Sequence, residues 1–196
     1  YAMREAEIKR ETKETKITLR LNLDGEGKSE IETGLGFFDH MLEQIARHGL
    51  LDLKISCQGD LEVDCHHSVE DTGIVLGEAL KQALGDKRGI VRYGHSYVPM
   101  DETLARAALD LSGRAFLHFS ADFPSASLGG YSCEMTKEFF RAVACGAGMT
   151  LHLEILHGEN SHHMTEALYK AFGRALRQAA ARDPRVKGVP SSKGVL

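Results

Sequence analysis

The chain has 196 residues and a formal net charge of −4 at pH 7, long enough to bury a core in one domain or two small ones and without the basic field that nucleic-acid binding demands. Apolar and charged shares of 42% and 27% are those of an ordinary globular protein, and no apolar run reaches the ~18 residues of a membrane span. The charged stretch from Tyr1 to Lys16 lacks the apolar heart of a secretion signal, and four cysteines at unrelated spacings (Cys57, Cys65, Cys133, Cys145) fit a reduced, cytoplasmic chain.

Lys16 to Leu23 alternates apolar and polar side chains and predicts a strand, closed by Asp24-Gly25-Glu26-Gly27. Ser29 to Thr33 predicts a return strand. Phe37 to Arg47 has helical spacing and stops at His48-Gly49. Leu51 to Ser56 alternates again, Gln58-Gly59-Asp60 turns the chain, and a long helix runs from about His66 to Leu84. In the second half, Gly89 to Val98, Leu104 to Leu111 and Ala115 to Ala121 predict strands. Glu134 to Cys145 predicts a helix, Met149 to Leu156 a strand, and Ser161 to Ala181 the last helix. The order strand-strand-helix-strand-helix recurs. The expected fold is therefore α/β (α+β) by internal duplication, with two sheets packed with helices and pseudo-twofold halves. Residues 1–88 form the first repeat, 89–182 the second, and 183–196 a tail rich in Pro, Gly, Ser and Lys. Leu53-Lys54-Ile55 aligns with Leu153-Glu154-Ile155, and Ile45-Ala46 with Val143-Ala144.

Both long helices open on one pattern. His66-His67-Ser68-Val69-Glu70 returns as His162-His163-Met164-Thr165-Glu166, 96 positions on (66 to 162). Imidazole and carboxylate are metal-ligand types. On a helix the first His and the Glu are i,i+4 and share a face, whereas the second His points about 100° away. Adjacent histidines therefore suit two ions better than one. The repeat adds His40, six residues before Ala46, and Glu138, six before Ala144. Eight donors result: His40, His66, His67, Glu70, Glu138, His162, His163 and Glu166. They divide into two sites of four that suit manganese, iron or zinc, and the affinity order alone favours zinc. His95, His118, His152 and His157 lack partner spacing and read as surface or core residues.

Five stretches recur in a family-specific order: Gly34-Leu35-Gly36-Phe37-Phe38-Asp39-His40-Met41-Leu42, Asp64-Cys65-His66-His67-Ser68-Val69-Glu70-Asp71, Tyr97-Val98-Pro99-Met100-Asp101-Glu102, the second HHxxE, and Pro190-Ser191-Ser192-Lys193-Gly194. On these the chain closely resembles the imidazoleglycerol-phosphate dehydratase family of histidine biosynthesis. The resemblance implies a hydro-lyase of two fused βα repeats, with two manganese ions per active site. It also implies a hollow homo-oligomer of 24 subunits with sites between subunits. One manganese would take His40, His67, His162 and Glu166; the other His66, Glu70, His163 and Glu138, a position where some relatives carry His. The substrate phosphate would rest on His48, Arg92, Arg114, Lys170, Ser192 and Lys193. Glu14 matches a substrate-contacting acid and is the candidate general base, expected to arrive from a neighbouring subunit because it lies far in sequence from both HHxxE copies. Asp71 and Asp101 are candidate supports for the ligands.

The implied reaction takes water from imidazoleglycerol phosphate and gives imidazole acetol phosphate after tautomerisation. The proton lost lies on a carbon with no carbonyl beside it. Ions on the imidazole let the ring take up charge, and a carboxylate can then accept the proton. A metal-dependent hydrolase would use the same donors and stays open. A ferritin-like helical store is opposed by the alternating segments Lys16 to Leu23 and Met149 to Leu156.

Overall fold

The computed structural model describes residues 2–196. The first half contains β1 (Glu5–Glu11), β2 (Thr15–Asn22), β3 (Ser29–Glu32), α1 (Gly36–Gly49), β4 (Asp52–Gly59) and α2 (His66–Leu84). The second contains β5 (Tyr93–Met100), β6 (Thr103–Asp110), β7 (Phe116–Ser120), the short hairpin β8 (Ser127–Leu128) and β9 (Tyr131–Ser132), α3 (Met135–Ala147), β10 (Thr150–His157) and α4 (Ser161–Ala180). Two four-stranded mixed sheets result, in the order β1-β2-β4-β3 and β5-β6-β10-β7. In each, the third strand of the list is antiparallel to the second and parallel to the fourth. The fold is the α/β architecture of duplicated units that the sequence predicts.

Each four-stranded sheet holds one strand more than the strand-strand-helix-strand-helix order supplies, and the second half adds the β8–β9 hairpin. In the first half the addition is β1, in the stretch that reads as merely charged. Its sequence, EAEIKRE, alternates, but it lies at a sheet edge and only Ala6 is buried. Charges on an edge strand discourage pairing with other chains and hide the apolar alternation.

The register of the repeat also differs from the sequence alignment. Leu50 and Gly148 both follow their helices in the left-handed region, at φ 47° and 66°, and the next N–H groups, of Leu51 and Met149, donate to Ala46 and Ala144. Asp52 faces Asn22 as Thr150 faces Asp110. Equivalent strand residues are thus 98 apart (52 to 150), so Leu53 matches Leu151. The alignment with Leu153-Glu154-Ile155 is out by two. A slip of two leaves every side chain on its own face of the sheet, so apolar alternation could not detect it. A bulge between Ile155 and His157 then moves the offset by one more.

The halves interlock through their helices. α2 packs on β1 and β2 of its own sheet and on α3 of the other half, while α4 packs on β5 and β6 and on α1. The buried apolar faces form one cluster running through both halves. Small residues allow the close crossings. A Cβ on Gly77 of α2 would stand 2.7 Å from the Val143 carbonyl oxygen, and one on its repeat counterpart Gly173 would stand 3.2 Å from Ile45 O and Gly49 N of α1. Beyond α4, the tail folds back along the second half: Gly89 N donates to Gly188 O, Asp183 N to Gly89 O, and the Leu196 backbone lies against Gly113.

Candidate functional site

Each HH pair begins a helix beside the end of the preceding strand. Asn160 caps α4, its side chain accepting from His163 N at 3.0 Å, while Asp64 accepts from His66 N at 2.8 Å. These side-chain acceptors satisfy N–H groups that the first turn of a helix leaves open. They fix where the imidazoles start.

One group of three donors converges. His40 Nε2 lies 3.2 Å from Glu166 Oε1, and His162 Nε2 lies 3.2 Å from Glu166 Oε2. Their ligand atoms all fall within 4.8 Å of one another, the one such group of three or more among the described residues. His40 comes from α1 and the others from α4, so the interlocking of the halves builds this group. Glu166 is 5% exposed, and a carboxylate so buried demands compensation. Lys170 Nζ supplies part of it at 3.5 Å. This i,i+4 ion pair also sets Lys170 beside the converging donors.

The other five predicted donors are distributed. His66 Nε2 meets Glu70 Oε2 at 2.9 Å, the i,i+4 pair expected on one face. Glu138 pairs instead with Arg141 at 3.2 Å and joins no three-donor group among the described residues. His67 and His163 point elsewhere, as their 100° offset requires. His67 Nδ1 is 2.7 Å from Asp60 Oδ2, and its Nε2 is 3.5 Å from Glu14 Oε2. His163 Nδ1 is 2.5 Å from Glu102 Oε1, with Asp101 3.8 Å from its Nε2. Glu14, distant in sequence, is therefore beside the first HH pair of its own chain. Asp71 accepts from Thr15 Oγ1 at 2.6 Å and ties α2 to β2.

The charges shift in accord with these contacts. The hydrogen bond to Asp60 raises the His67 imidazole above its ordinary pKa. Bonds from Thr103 and His163 hold Glu102 below the usual carboxylate range. Burial, then the positive charges of Lys170, Arg174 and Arg47, lower His48. His48 and Lys170 thus share a cationic neighbourhood with Arg174, a residue not picked out from the sequence.

The remaining phosphate candidates gather at the far end of the second sheet. Arg92 donates through Nε and Nη2 to Asp110 at 2.7 and 3.1 Å, and through Nη1 to Pro190 O at 2.8 Å. The bond to Asp110 raises its pKa further. Arg114 follows Gly113, against which Leu196 lies, so Ser192 and Lys193 run between the two arginines. This end is occupied by the start of β10, since Thr150 Oγ1 donates to Arg114 O at 3.0 Å. His162 and His163 follow the other end of β10. Eight residues at about 3.3 Å each put the two groups roughly 26 Å apart.

Sequence reasoning passed over Asp60 and Glu102. One signal was available: Glu14-Thr15 and Glu102-Thr103 are the same dipeptide, each at the entry to a strand.

Comparison with known proteins gives one answer. A family model described as imidazoleglycerol-phosphate dehydratase matches residues 33–176. The imidazoleglycerol-phosphate dehydratase of Acetivibrio thermocellus is 58% identical over 193 residues, covering 98% of this chain and 99% of that protein. The Streptococcus sanguinis protein of the same name is 59% identical over 194 residues, covering 99% and 100%. Among solved structures, the Staphylococcus aureus dehydratase superposes with a TM-score of 0.83 at 41% identity, covering 91% of this chain and 99% of that one. The Pyrococcus furiosus structure gives 0.83 at 36%, covering 96% and 100%. With the duplicated sheets and the doubled HHxxE helices, these matches show that the chain belongs to the imidazoleglycerol-phosphate dehydratase family.

Proposed function

We propose that this chain dehydrates imidazoleglycerol phosphate to imidazole acetol phosphate, and does so with two manganese ions at sites shared between copies of the chain. The observation that carries the reading is the His40, His162, Glu166 group, whose imidazole and carboxylate donors fit a divalent ion. His67 would complete that set, and His66, Glu70, His163 and Glu138 would form the second. An ion so held would supply Lewis-acid chemistry to a bound imidazole substrate.

The chain's own residues do the rest. Glu14 accepts the proton from carbon; the C–O bond to the neighbouring hydroxyl breaks, the departing oxygen takes that proton equivalent to leave as water, and the enol formed tautomerises to the ketone. Lys170 and His48 offer positive charge and N–H donors close to the donor group. Arg114, Ser192 and Lys193, with the N–H groups that Arg92 has left, hold the phosphate. The separation of about 26 Å between phosphate candidates and HH donors supports sites shared between copies, as does the absence of His67 from the three-donor group. A homo-oligomer, of 24 subunits by resemblance, would bring these ends together. No helix among the described residues is long and apolar enough to cross a membrane, and a cytoplasmic location is part of the proposal.

Ketone formation from imidazoleglycerol phosphate, measured with and without added manganese after chelation, tests the reading. Manganese-dependent turnover is expected. A protein that binds the substrate but forms no ketone would overturn it.

A further inference from the structure

Glu14 and Glu102 occupy equivalent places in the two repeats. Each stands just before the first residue of the second strand of its sheet, Thr15 or Thr103, and both threonines are buried. Each also contacts the second histidine of its own HH pair. The contacts differ. Glu102 sits on Nδ1 of His163, whereas Glu14 faces Nε2 of His67, because Asp60 already occupies Nδ1 there.

The counterpart of Asp60 explains the exchange. Gly59 and Gly158 have the same surroundings: an added Cβ would meet Ser68 and Thr15 at the first, and Met164 and Thr103 at the second. Ser68 and Met164 each follow an HH pair. Asp60 therefore corresponds to Glu159, which follows Gly158. The bulge before His157 displaces this corner, and what Glu159 offers is its backbone N–H, to Glu102 Oε2 at 3.3 Å. The His157 ring nitrogen Nδ1 bonds to Glu102 O at 3.0 Å, and Thr103 Oγ1 also donates to the Glu102 carboxylate. Glu102 is thus fixed from three directions before it meets His163.

We infer that Asp60 and Glu102 are positioning residues that hold His67 and His163 by Nδ1 and so present Nε2 of each to a metal, leaving Glu14 the one hairpin glutamate free to act on substrate. A carboxylate only accepts hydrogen bonds, so the ring nitrogen beside it carries the proton and the lone pair lies on Nε2. Such outer partners set ring orientation and ligand basicity. The inference rests on the reading of both HH pairs as metal ligands, and it splits two equivalent glutamates into different roles.

Manganese retained by the whole protein during dialysis against graded chelator tests it, with no need for turnover. Glu102→Ala is expected to weaken retention of one ion of the pair about 10- to 100-fold. Glu102→Gln keeps an oxygen that accepts from Nδ1–H and should recover most of it. Glu159→Ala, which removes a side chain bonded to neither histidine, should match the parent, and so should Glu14→Gln. Nitrogen-15 spectra of histidine-labelled protein should show His163 protonated at Nδ1 in the parent and in Glu102→Gln. Unchanged retention in Glu102→Ala would overturn the inference. Equal loss in Ala and Gln variants, or His163 protonated at Nε2, would do so too. Failure of the parent to bind manganese at all would instead remove the reading of the HH pairs as ligands.

Discussion

The two halves share the HHxxE start, yet among the described residues only the second copy anchors a compact three-donor group, to which the first half lends His40. Glu166 gathers His162, His40 and Lys170. Its counterpart Glu70 pairs, among the described residues, with His66. The surroundings account for the difference. The position equivalent to Lys170 is Ile74, and that equivalent to Arg174 is Glu78 (each 96 back). At the position equivalent to His40 stands Glu138, which turns to Arg141. Duplication kept the donors in both halves, while cations able to attract a phosphate accumulated in one. A single cationic end suits a small, asymmetric substrate that carries its phosphate at one end.

Glu166→Ala should break the comparison most severely. It removes the residue common to three contacts, and loss of one ion's stabilisation, several kcal/mol, corresponds to about 10³-fold in turnover or more. Metal analysis should show one ion fewer per chain. Normal stoichiometry would remove Glu166 from the ligand set.

Glu14→Gln sharpens the contrast between the hairpin glutamates. Turnover should fall by about 10² or more while substrate still binds. Near-normal turnover would move the base elsewhere, with Asp101, 3.8 Å from His163 Nε2, the next candidate.

The arginines differ in a way that the sequence did not disclose. Among the described residues the Arg114 side chain makes no hydrogen bond, whereas that of Arg92 already bridges Asp110 and Pro190. Arg114→Ala should raise KM about 10-fold, the equivalent of 1.4 kcal/mol, with Tm unchanged. Arg92→Ala should raise KM and also lower Tm, because it frees the tail and leaves Asp110 half-buried without its partner. An unchanged Tm in Arg92→Ala would make its fork available to phosphate alone.

Much of this arrangement was legible in the chain. The HH pairs, their helices and His66–Glu70 are local, and helical geometry alone assigned His66 and His67 to different directions. α2 begins and ends where its pattern predicts, at His66 and Leu84. What was missed depends on contacts across the fold. β1 was hidden by its charges, and with it the hairpin that makes Glu14 and Glu102 equivalent. Asp60 reads as a turn residue after Gly59, and only folding carries it to His67. The two-residue slip between Leu53 and Leu151 leaves apolar alternation intact, so periodicity could not reveal it.

Helix packing offers a smaller test. Gly77→Ala would force a Cβ to 2.7 Å from Val143 O, against 3.2 Å for Gly173→Ala at its nearest contacts. Overpacking typically costs about 1–3 kcal/mol, so Gly77→Ala should lower the denaturation midpoint more than Gly173→Ala. The reverse order would show the α1–α4 crossing to be the tighter one.

The central claim is that the His40, His162, Glu166 group of one copy works with Glu14 and His67 of another. Subunit mixing measures this directly. Glu14→Gln chains and Glu166→Ala chains, each inactive alone, are dissociated, combined and reassembled with manganese. In shared sites an intact donor group from the first meets an intact base from the second, and ketone formation should reappear in proportion to mixed contacts. If mixtures form mixed oligomers and stay as inactive as the separate variants, each site is complete within one chain and the shared-site assignment is wrong.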